Sequence, residues 1–350
     1  MIPEFGEESL IPLDASTILQ GMGVQGLTSI TAAMRERPEG IHMELFLGAP
    51  KERRGGLLNV FQMSPADTSP PPFVPANVTS FARARADLGS TWKRLEALIR
   101  EQSPSTANIM QSFFELLGKD KNAGFDFRKS FFGNLGDDTM MWQFTSREGF
   151  AGPGNIPWLA LVESPNPQQL IRAMDAIPGL LPPPLHEATL EEIILGGHKV
   201  FTGKLAELEL VFAVKGQFMA FSNDKLTLLS FLNGEPDTAL INLPSLGEAA
   251  RQVGGMESGF FGLQNDRAVI LDTLRTLKAN AGTESLLQAI PLAQVVGELF
   301  PVDLNEMFDA TLLPAPEKVA RYFSFTVFAS TIGPRGYRLK LFRPTPQDLN

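Results

Sequence analysis

Cysteine is absent from this chain, and histidine and tyrosine are scarce, with three and two residues respectively. The lack of cysteine excludes a disulfide framework, a thiolate nucleophile and a cysteine-ligated metal. It is also compatible with an oxidising compartment. No apolar run reaches the roughly 18 residues that a membrane-spanning helix requires. We therefore expect no membrane span in this chain.

Basic residues are outnumbered: 30 Lys and Arg stand against 39 Asp and Glu, which gives a net charge of −9. A nucleic-acid-binding face needs clustered cations, so this balance argues against nucleic acid as a partner. It equally disfavours a polybasic membrane anchor. The 350 residues, 43% hydrophobic and 20% charged, can form one large or two ordinary globular domains with a substantial core.

A repeated pattern organises what is present. Residues 41–67 and residues 322–348 both read as a strand, an Arg-Gly turn, a second strand and then Phe-x-x-Ser/Thr-Pro-x-Asp. In the first copy the turn would lie at Arg54 and Gly55, followed by a strand over residues 57–61. Internal similarity of this kind sets an architecture. It predicts an internally duplicated hairpin.

The repeat and the proline content together divide the chain. Residues 1–67 are expected to be the incomplete tail of a first repeat unit. Residues 68–76 are proline-rich, and because proline fixes φ and removes N–H donors they predict an extended connector. Residues 77–350 would form a second, complete α+β unit. Residues 1–8 are acidic and lack the apolar region of a signal peptide, so we expect any export signal upstream in a longer parent.

Three segments share the order strand, polar junction, helix. They are a strand at 159–162 with a helix at 168–177, a strand at 218–221 with a helix at 225–232, and a strand at 260–263 with a helix at 267–277. The second junction is Asn223-Asp224 and the third is Asn265-Asp266. Because Asn and Asp side chains accept the unpaired N–H groups of a first helical turn, one residue of each pair is predicted to be a helix N-cap.

Short links around glycine favour antiparallel strand pairing. The link around Gly216, for example, can fold residues 208–214 onto residues 218–221. Residues 14–36, by contrast, carry a weak helical pattern. The sequence predicts an α+β fold in which a large, mainly antiparallel sheet carries helices chiefly on one face.

Motifs that would bind a cofactor or a metal are weak. Residues 21–26, GMGVQG, match G-x-G-x-x-G, but that motif binds a pyrophosphate only between a strand and a helix. Here a strand-like run follows, so no dinucleotide is expected. His42, His186 and His198 are scattered and lack the i, i+4 spacing of a helical zinc site. No cofactor-binding, metal-binding or catalytic residue is therefore predicted.

Two other features leave alternatives open. Asp137 and Asp138 are adjacent and would point to opposite faces of a strand, so a hydrolase would have to gather them with a distant carboxylate such as Asp266. Phenylalanine is abundant, with 26 residues. The simpler interpretation is an apolar core, and the alternative is a cavity that holds a lipid or another apolar small molecule.

Four short motifs occur together in residues 40–350. They are Leu57-Leu58 after Arg54-Gly55, Val74-Pro75-Ala76, FGNLGD at 132–137 and LPAPEKVARYF at 313–323. Together they resemble a family of exported bacterial proteins built around a domain of unknown function. The resemblance implies a periplasmic or extracellular location, with the cytoplasm as the alternative. It implies no activity and no catalytic residues.

We therefore expect a non-enzymatic, exported binding or cell-envelope module, whose partner would be an apolar small molecule or an envelope component. One alternative is a hydrolase whose carboxylate site is assembled from distant segments. Another is a carrier of lipid or of another apolar ligand. An enzyme should show a cleft with convergent carboxylates of perturbed pKa, whereas a binding module should show an apolar groove or a flat patch.

Overall fold

The computed structural model describes residues 21–60, 62–117, 119, 124–146, 156–176, 190–205, 208–280 and 313–346. The strands in these ranges are β1 Ser29–Arg37, β2 Gly40–Gly48, β3 Ser80–Arg85, β4 Asp138–Gln143, β5 Trp158–Glu163, β6 Glu191–Leu195, β7 His198–Leu205, β8 Leu208–Lys215, β9 Phe218–Ser222, β10 Phe260–Gln264, β11 Thr326–Gly333 and β12 Gly336–Pro344. The α-helices are α1 Leu57–Val60, α2 Leu88–Gln102, α3 Pro104–Leu116, α4 Phe127–Ser130, α5 Pro167–Ala176, α6 Lys225–Asn233, α7 Leu246–Val253, α8 Asp266–Asn280 and α9 Pro316–Ala320.

All twelve strands belong to one sheet, in the order β1-β2-β12-β11-β10-β3-β4-β5-β9-β8-β7-β6. Every neighbouring pair is antiparallel. Tight glycine links make this possible, since Gly216 adopts a φ of 61° between β8 and β9. The predicted α+β fold with a large antiparallel sheet is confirmed.

The main core covers one face of the sheet, which we call face A. Side chains alternate along a strand, so residues paired across strands share a face. The central row on face A runs through Leu263, Phe81, Trp142 and Leu159. These side chains are buried against α6 and α7. Burial of apolar area, at about 25 cal/mol per Å², stabilises this contact.

The opposite face, face B, also carries helices. Leu170 of α5 packs there against Phe212 of β8 and Met219 of β9. Helix α5 in turn packs against Leu117, the residue that follows α3, and against Phe127 of α4. The helices were expected chiefly on one face, and they instead cover both. The reason is that β8 and β9 are apolar on both faces, a property that strict alternation does not reveal.

The predicted hairpin in residues 41–62 is wrong. The first strand is present as β2, but Leu57–Val60 forms the short helix α1. The Arg54 guanidinium donates to the carbonyl oxygens of Ala49 and Gly333, and Leu58 accepts from the Tyr337 hydroxyl. A short apolar run cannot distinguish a strand from a helical turn, and here contacts with the β11–β12 turn decide.

The supposed copies are neighbours in the sheet, because β2 pairs directly with β12. Residues 68–76, expected to be an extended connector, contain a turn in which the Val74 N–H donates to the Pro71 carbonyl. The segment packs onto the core: Thr68 and Val74 are fully buried, and the Thr68 N–H donates to the Met256 carbonyl. The division into an incomplete and a complete repeat unit stays a prediction, while strands from both parts lie in one sheet.

One residue of each Asn-Asp junction caps a helix, as predicted. Asp224 accepts from the N–H of Thr227 at 2.8 Å at the start of α6. At the second junction the cap is Asn265, which accepts from the N–H of Ala268 at 3.0 Å. The two caps are at different positions of the dipeptide. Asn223 instead accepts from the N–H of the first residue of β5 at 2.9 Å.

Candidate functional site

Asp137 and Asp138 stand beside the arginines of β3. The Asp138 carboxylate, 5% exposed, accepts hydrogen bonds from Arg83 at 2.9 and 2.6 Å and lies 2.8 Å from Arg85. Burial acts to lower the pKa of Arg83, but the bonds to Asp138 raise it above its ordinary value. Asp137, 47% exposed, pairs with Arg85 at 3.0 Å. These carboxylates hold β3 to β4.

Asp266, the third carboxylate of the hydrolase alternative, lies at the other end of β3. It accepts from the Thr326 hydroxyl at 2.5 Å and from Arg343 Nε at 3.1 Å. The six residues of β3, each rising about 3.3 Å, separate it from Asp138 by roughly 20 Å. The structure does not bring the three carboxylates together.

Carboxylates with shifted pKa values have local structural causes. Burial acts to raise the pKa of Asp67, but hydrogen bonds from Ser69 and nearby arginines lower it overall. Hydrogen bonds from Ser90 lower the pKa of Asp87, the N-cap of α2. Burial raises the pKa of Asp272. Each has a different set of partners, which is typical of structural interactions.

The glycines of residues 21–26 allow this segment to pack closely against the backbone of residues 53–55. Gly23 has a φ of 77°, and a Cβ there would lie 2.1 Å from the Gly55 carbonyl oxygen. A Cβ at Gly26 would lie 2.3 Å from the Arg53 carbonyl oxygen. The motif leads into β1 and not into a helix. The local structure therefore lacks the motif-to-helix order that a pyrophosphate site requires.

The histidines do not converge. His42, on β2, contacts the Phe342 ring with centroids 4.7 Å apart. His198 begins β7 on the far side of the sheet, 3.2 Å from the Asn233 side chain. His186 lies outside the described residues. Within the described ranges, no group of three His, Asp or Glu residues is placed to hold a metal ion, and no helix could cross a membrane.

Most of the aromatic contacts among the described residues fall into three groups. They are the cluster of Trp92, Phe114, Phe127, Phe131 and Phe132, the cluster of Phe73, Trp142, Phe218 and Phe231, and the stack of Phe201, Phe212 and Phe221. Ring pairs of this kind stabilise a core. They support the interpretation of the phenylalanine excess as core.

Three cavities have mixed or polar linings. One of about 530 Å³ lies between α5 and β6–β7 and is lined by Arg172, Asp175, Glu192, Lys199, Leu190 and Phe201. One of about 240 Å³ lies on face A near β1, and one of about 230 Å³ lies beside Ser80, Gln143 and Asp272. Charged and amide side chains at each cavity disfavour a lipid chain as the occupant.

An exposed edge strand is the feature that these sites leave unexplained. All nine residues of β1 are exposed, and β1 ends the sheet in the described residues. The N–H of Ala49 donates to the carbonyl oxygen of Arg335. Because successive residues of a strand direct their main-chain groups to opposite sides, odd-numbered residues of β2 hydrogen-bond to β12 and even-numbered residues hydrogen-bond to β1. The register then directs the N–H and C=O groups of Ile30, Ala32 and Met34 outward.

Face B of this end of the sheet is apolar. Its three cross-strand rows are Ile30–Leu47–Tyr337, Ala32–Leu45–Leu339 and Met34–Met43–Leu341. Ile30 and Met34 are 70% and 72% exposed, and Leu45 is 42% exposed. A contiguous exposed apolar patch marks an interaction surface. We call this patch, with the outer edge of β1, the β1 surface.

The β1 surface is a site that the sequence analysis missed. Residues 14–36 were expected to be helical, yet residues 29–37 form a strand. Ile30 and Met34 fit a helical spacing of four, and with Ala32 they fit an alternating strand equally well. That alternation was the available signal. Pairing with β2, a partner that local periodicity cannot show, decides in favour of the strand.

Comparison of the chain with protein-family models, curated proteins and solved structures found no match. The resemblance to an exported bacterial family therefore stays a prediction.

Proposed function

We propose that this protein is a non-enzymatic binding module whose ligand is an extended polypeptide segment that adds a strand to β1. The observation that carries the proposal is the β1 surface, where a nine-residue exposed edge adjoins an apolar sheet face. A periplasmic or extracellular setting, taken from the resemblance, completes the proposal and is compatible with a cysteine-free chain.

Strand addition follows from the chemistry of the edge. Outward N–H and C=O groups can bond an incoming strand, while side-chain contacts determine its specificity. Ile30, Ala32 and Met34 present both their outward main-chain groups and their apolar side chains. At about 3.4 Å per residue, β1 offers roughly 30 Å of edge. The alternatives have less support, because the carboxylates are separated and charged or amide side chains line each cavity.

The other edge of the sheet is protected by comparison. Strand β6 has five residues, and it begins with Glu191 and Glu192. Short length and charge are the devices that keep sheet edges from pairing. On β1 the charges occupy only the last three positions, Arg35 to Arg37, and the six before them are uncharged. The two edges therefore differ in their capacity to accept a strand.

The proposal is tested with Ala32→Pro. Proline removes an outward N–H without breaking a bond to β2. Nine-residue peptides selected from a displayed random library against the whole protein would be measured by fluorescence anisotropy. Ala32→Pro should weaken their binding about tenfold or more, because one main-chain bond is lost and the ring obstructs the edge. The matched control Ala32→Val should retain binding.

Hydrogen–deuterium exchange provides an independent measurement. The amides of Ile30, Ala32 and Met34 should exchange rapidly in the unliganded protein and slow down when a selected peptide is added. Peptides that bind Ala32→Pro as tightly as the unmodified protein, or that protect amides elsewhere and leave β1 unchanged, would contradict strand addition. Failure of the library to yield any binder would do the same.

A further inference from the structure

We infer that the segment bound at β1 alternates apolar and acidic side chains, with the acidic ones on face A. The inference rests on the proposed strand addition and specifies its ligand. It is carried by the charges on face A of β1, β2 and β12, which the proposed function leaves unused.

The geometry gives alternate positions of the incoming strand different surroundings. Antiparallel pairs that are not hydrogen-bonded bring their Cα atoms to about 4.5 Å, closer than hydrogen-bonded pairs. Because Ile30, Ala32 and Met34 make the outward bonds, Arg35 and Arg37 occupy the close positions. The side chains opposite these two arginines would lie on face A, within reach of the guanidinium groups.

Face A is cationic at this end of the sheet. It carries Arg35 and Arg37 of β1 and Arg338 and Lys340 of β12, with Glu44 of β2 between them. Glu44 pairs with Arg338 at 3.1 Å, and Arg37 lies 3.7 Å from Glu39 in the turn between β1 and β2. Among the described residues, no carboxylate lies within ion-pair distance of Arg35 or Lys340. Although the chain has a net charge of −9, this part of face A carries a local excess of positive charge.

A cavity of about 240 Å³ extends this charged surface. Arg35, Arg37 and Lys340 line it, together with His42, with Gln252 from α7 and with Glu44, whose carboxylate is paired with Arg338. Cations and an amide that point into one recess can bind carboxylates. An acidic side chain of the added strand would therefore find cations on two sides.

Face B determines which side chains fit at the remaining positions of the ligand, those between the acidic ones. The side chains there would lie opposite Ile30, Ala32 and Met34 and extend the apolar rows. A second copy of this chain fits less well. Antiparallel pairing of β1 with itself over all nine residues would place Arg35 opposite Thr31 and Arg37 opposite Ser29, so a second copy would bring no carboxylate opposite these arginines.

Three synthetic nine-residue peptides test the inference with the full chain. Each alternates valine with one other residue, which is glutamate, serine or lysine, and each carries the same uncharged solubilising tail. Anisotropy titrations should rank their affinities in the order glutamate, serine, lysine. The Arg35→Gln/Arg37→Gln variant should weaken the glutamate peptide about three- to tenfold, the size of two exposed cross-strand ion pairs, and leave the serine peptide unchanged.

Control variants and salt separate the outcomes. Arg100→Gln removes an exposed arginine on α2 and should leave all three affinities unchanged. Raising the salt concentration should weaken only the glutamate peptide, because ions screen exposed charges. Equal affinities for all three peptides would overturn the charge preference and leave strand addition standing. Binding by none of them would count against strand addition itself. Self-association that Ala32→Pro abolishes would identify a second copy as the occupant and overturn the inference.

Discussion

Replacing Asp138 by asparagine should destabilise the protein strongly, because this carboxylate is the shared partner of two arginines. It is 5% exposed and accepts two hydrogen bonds from Arg83, which is itself 11% exposed. Asparagine keeps the shape of the side chain and removes its charge. Arg83 would then remain buried and charged without an anionic partner of comparable geometry.

The magnitude follows from burial. Removal of one partner from a buried ion pair costs about 3–5 kcal/mol, because the remaining charge has lost its solvent and its counter-ion. The neighbouring carboxylate is a matched control. Asp137 is 47% exposed and pairs with Arg85 at 3.0 Å, so Asp137→Asn should cost less than about 1 kcal/mol.

Urea denaturation followed by tryptophan fluorescence and circular dichroism measures both variants. With an m-value of about 3 kcal/mol per M, Asp138→Asn should lower the unfolding midpoint by about 1 M or more. Asp137→Asn should change it by a few tenths at most. Equal shifts, or a change of less than about 0.3 M for Asp138→Asn, would refute the assignment of this cluster as a buried structural unit. A double-mutant cycle with Arg83→Ala should give a coupling of about 1–3 kcal/mol.

Three further predictions concern caps and the glycine-rich segment. Asp224→Ala and Asn265→Ala should each cost about 1 kcal/mol and add to within about 0.5 kcal/mol in the double variant, as measured by chemical denaturation. The pKa of Asp87 is lowered by its hydrogen bonds, so its contribution to stability is present above its ordinary pKa of 3.8 and is lost as the pH falls through the lower pKa of the folded state. The difference in unfolding free energy between the unmodified protein and Asp87→Ala should therefore be smaller at pH 3 than at pH 7. Millimolar NAD or ATP should leave the melting temperature unchanged, since residues 21–26 pack against residues 53–55, and a saturable rise would contradict this.

Patterns that depend on adjacent residues were predictable from the sequence. The Asn-Asp junctions indicated helix starts because a cap is a contact over three residues, and Asp224 and Asn265 confirm it. The link at Gly216 indicated an antiparallel pair for the same reason, since a tight turn brings its own flanking strands together. The α+β fold with a large antiparallel sheet followed from these local elements.

Where the local pattern of apolar residues fits a helix and a strand equally well, the tertiary structure decides between them. Residues 29–37 satisfy both a helical and an alternating pattern, and pairing with β2 makes them a strand. Leu57–Val60 is helical because contacts with the β11–β12 turn hold it. The charged residues of β1 and β12 are about 300 positions apart in the chain, and only the sheet order places Arg35 and Lys340 on one face. Composition determined the chain's net negative charge, and strand register determined where its positive charge collects.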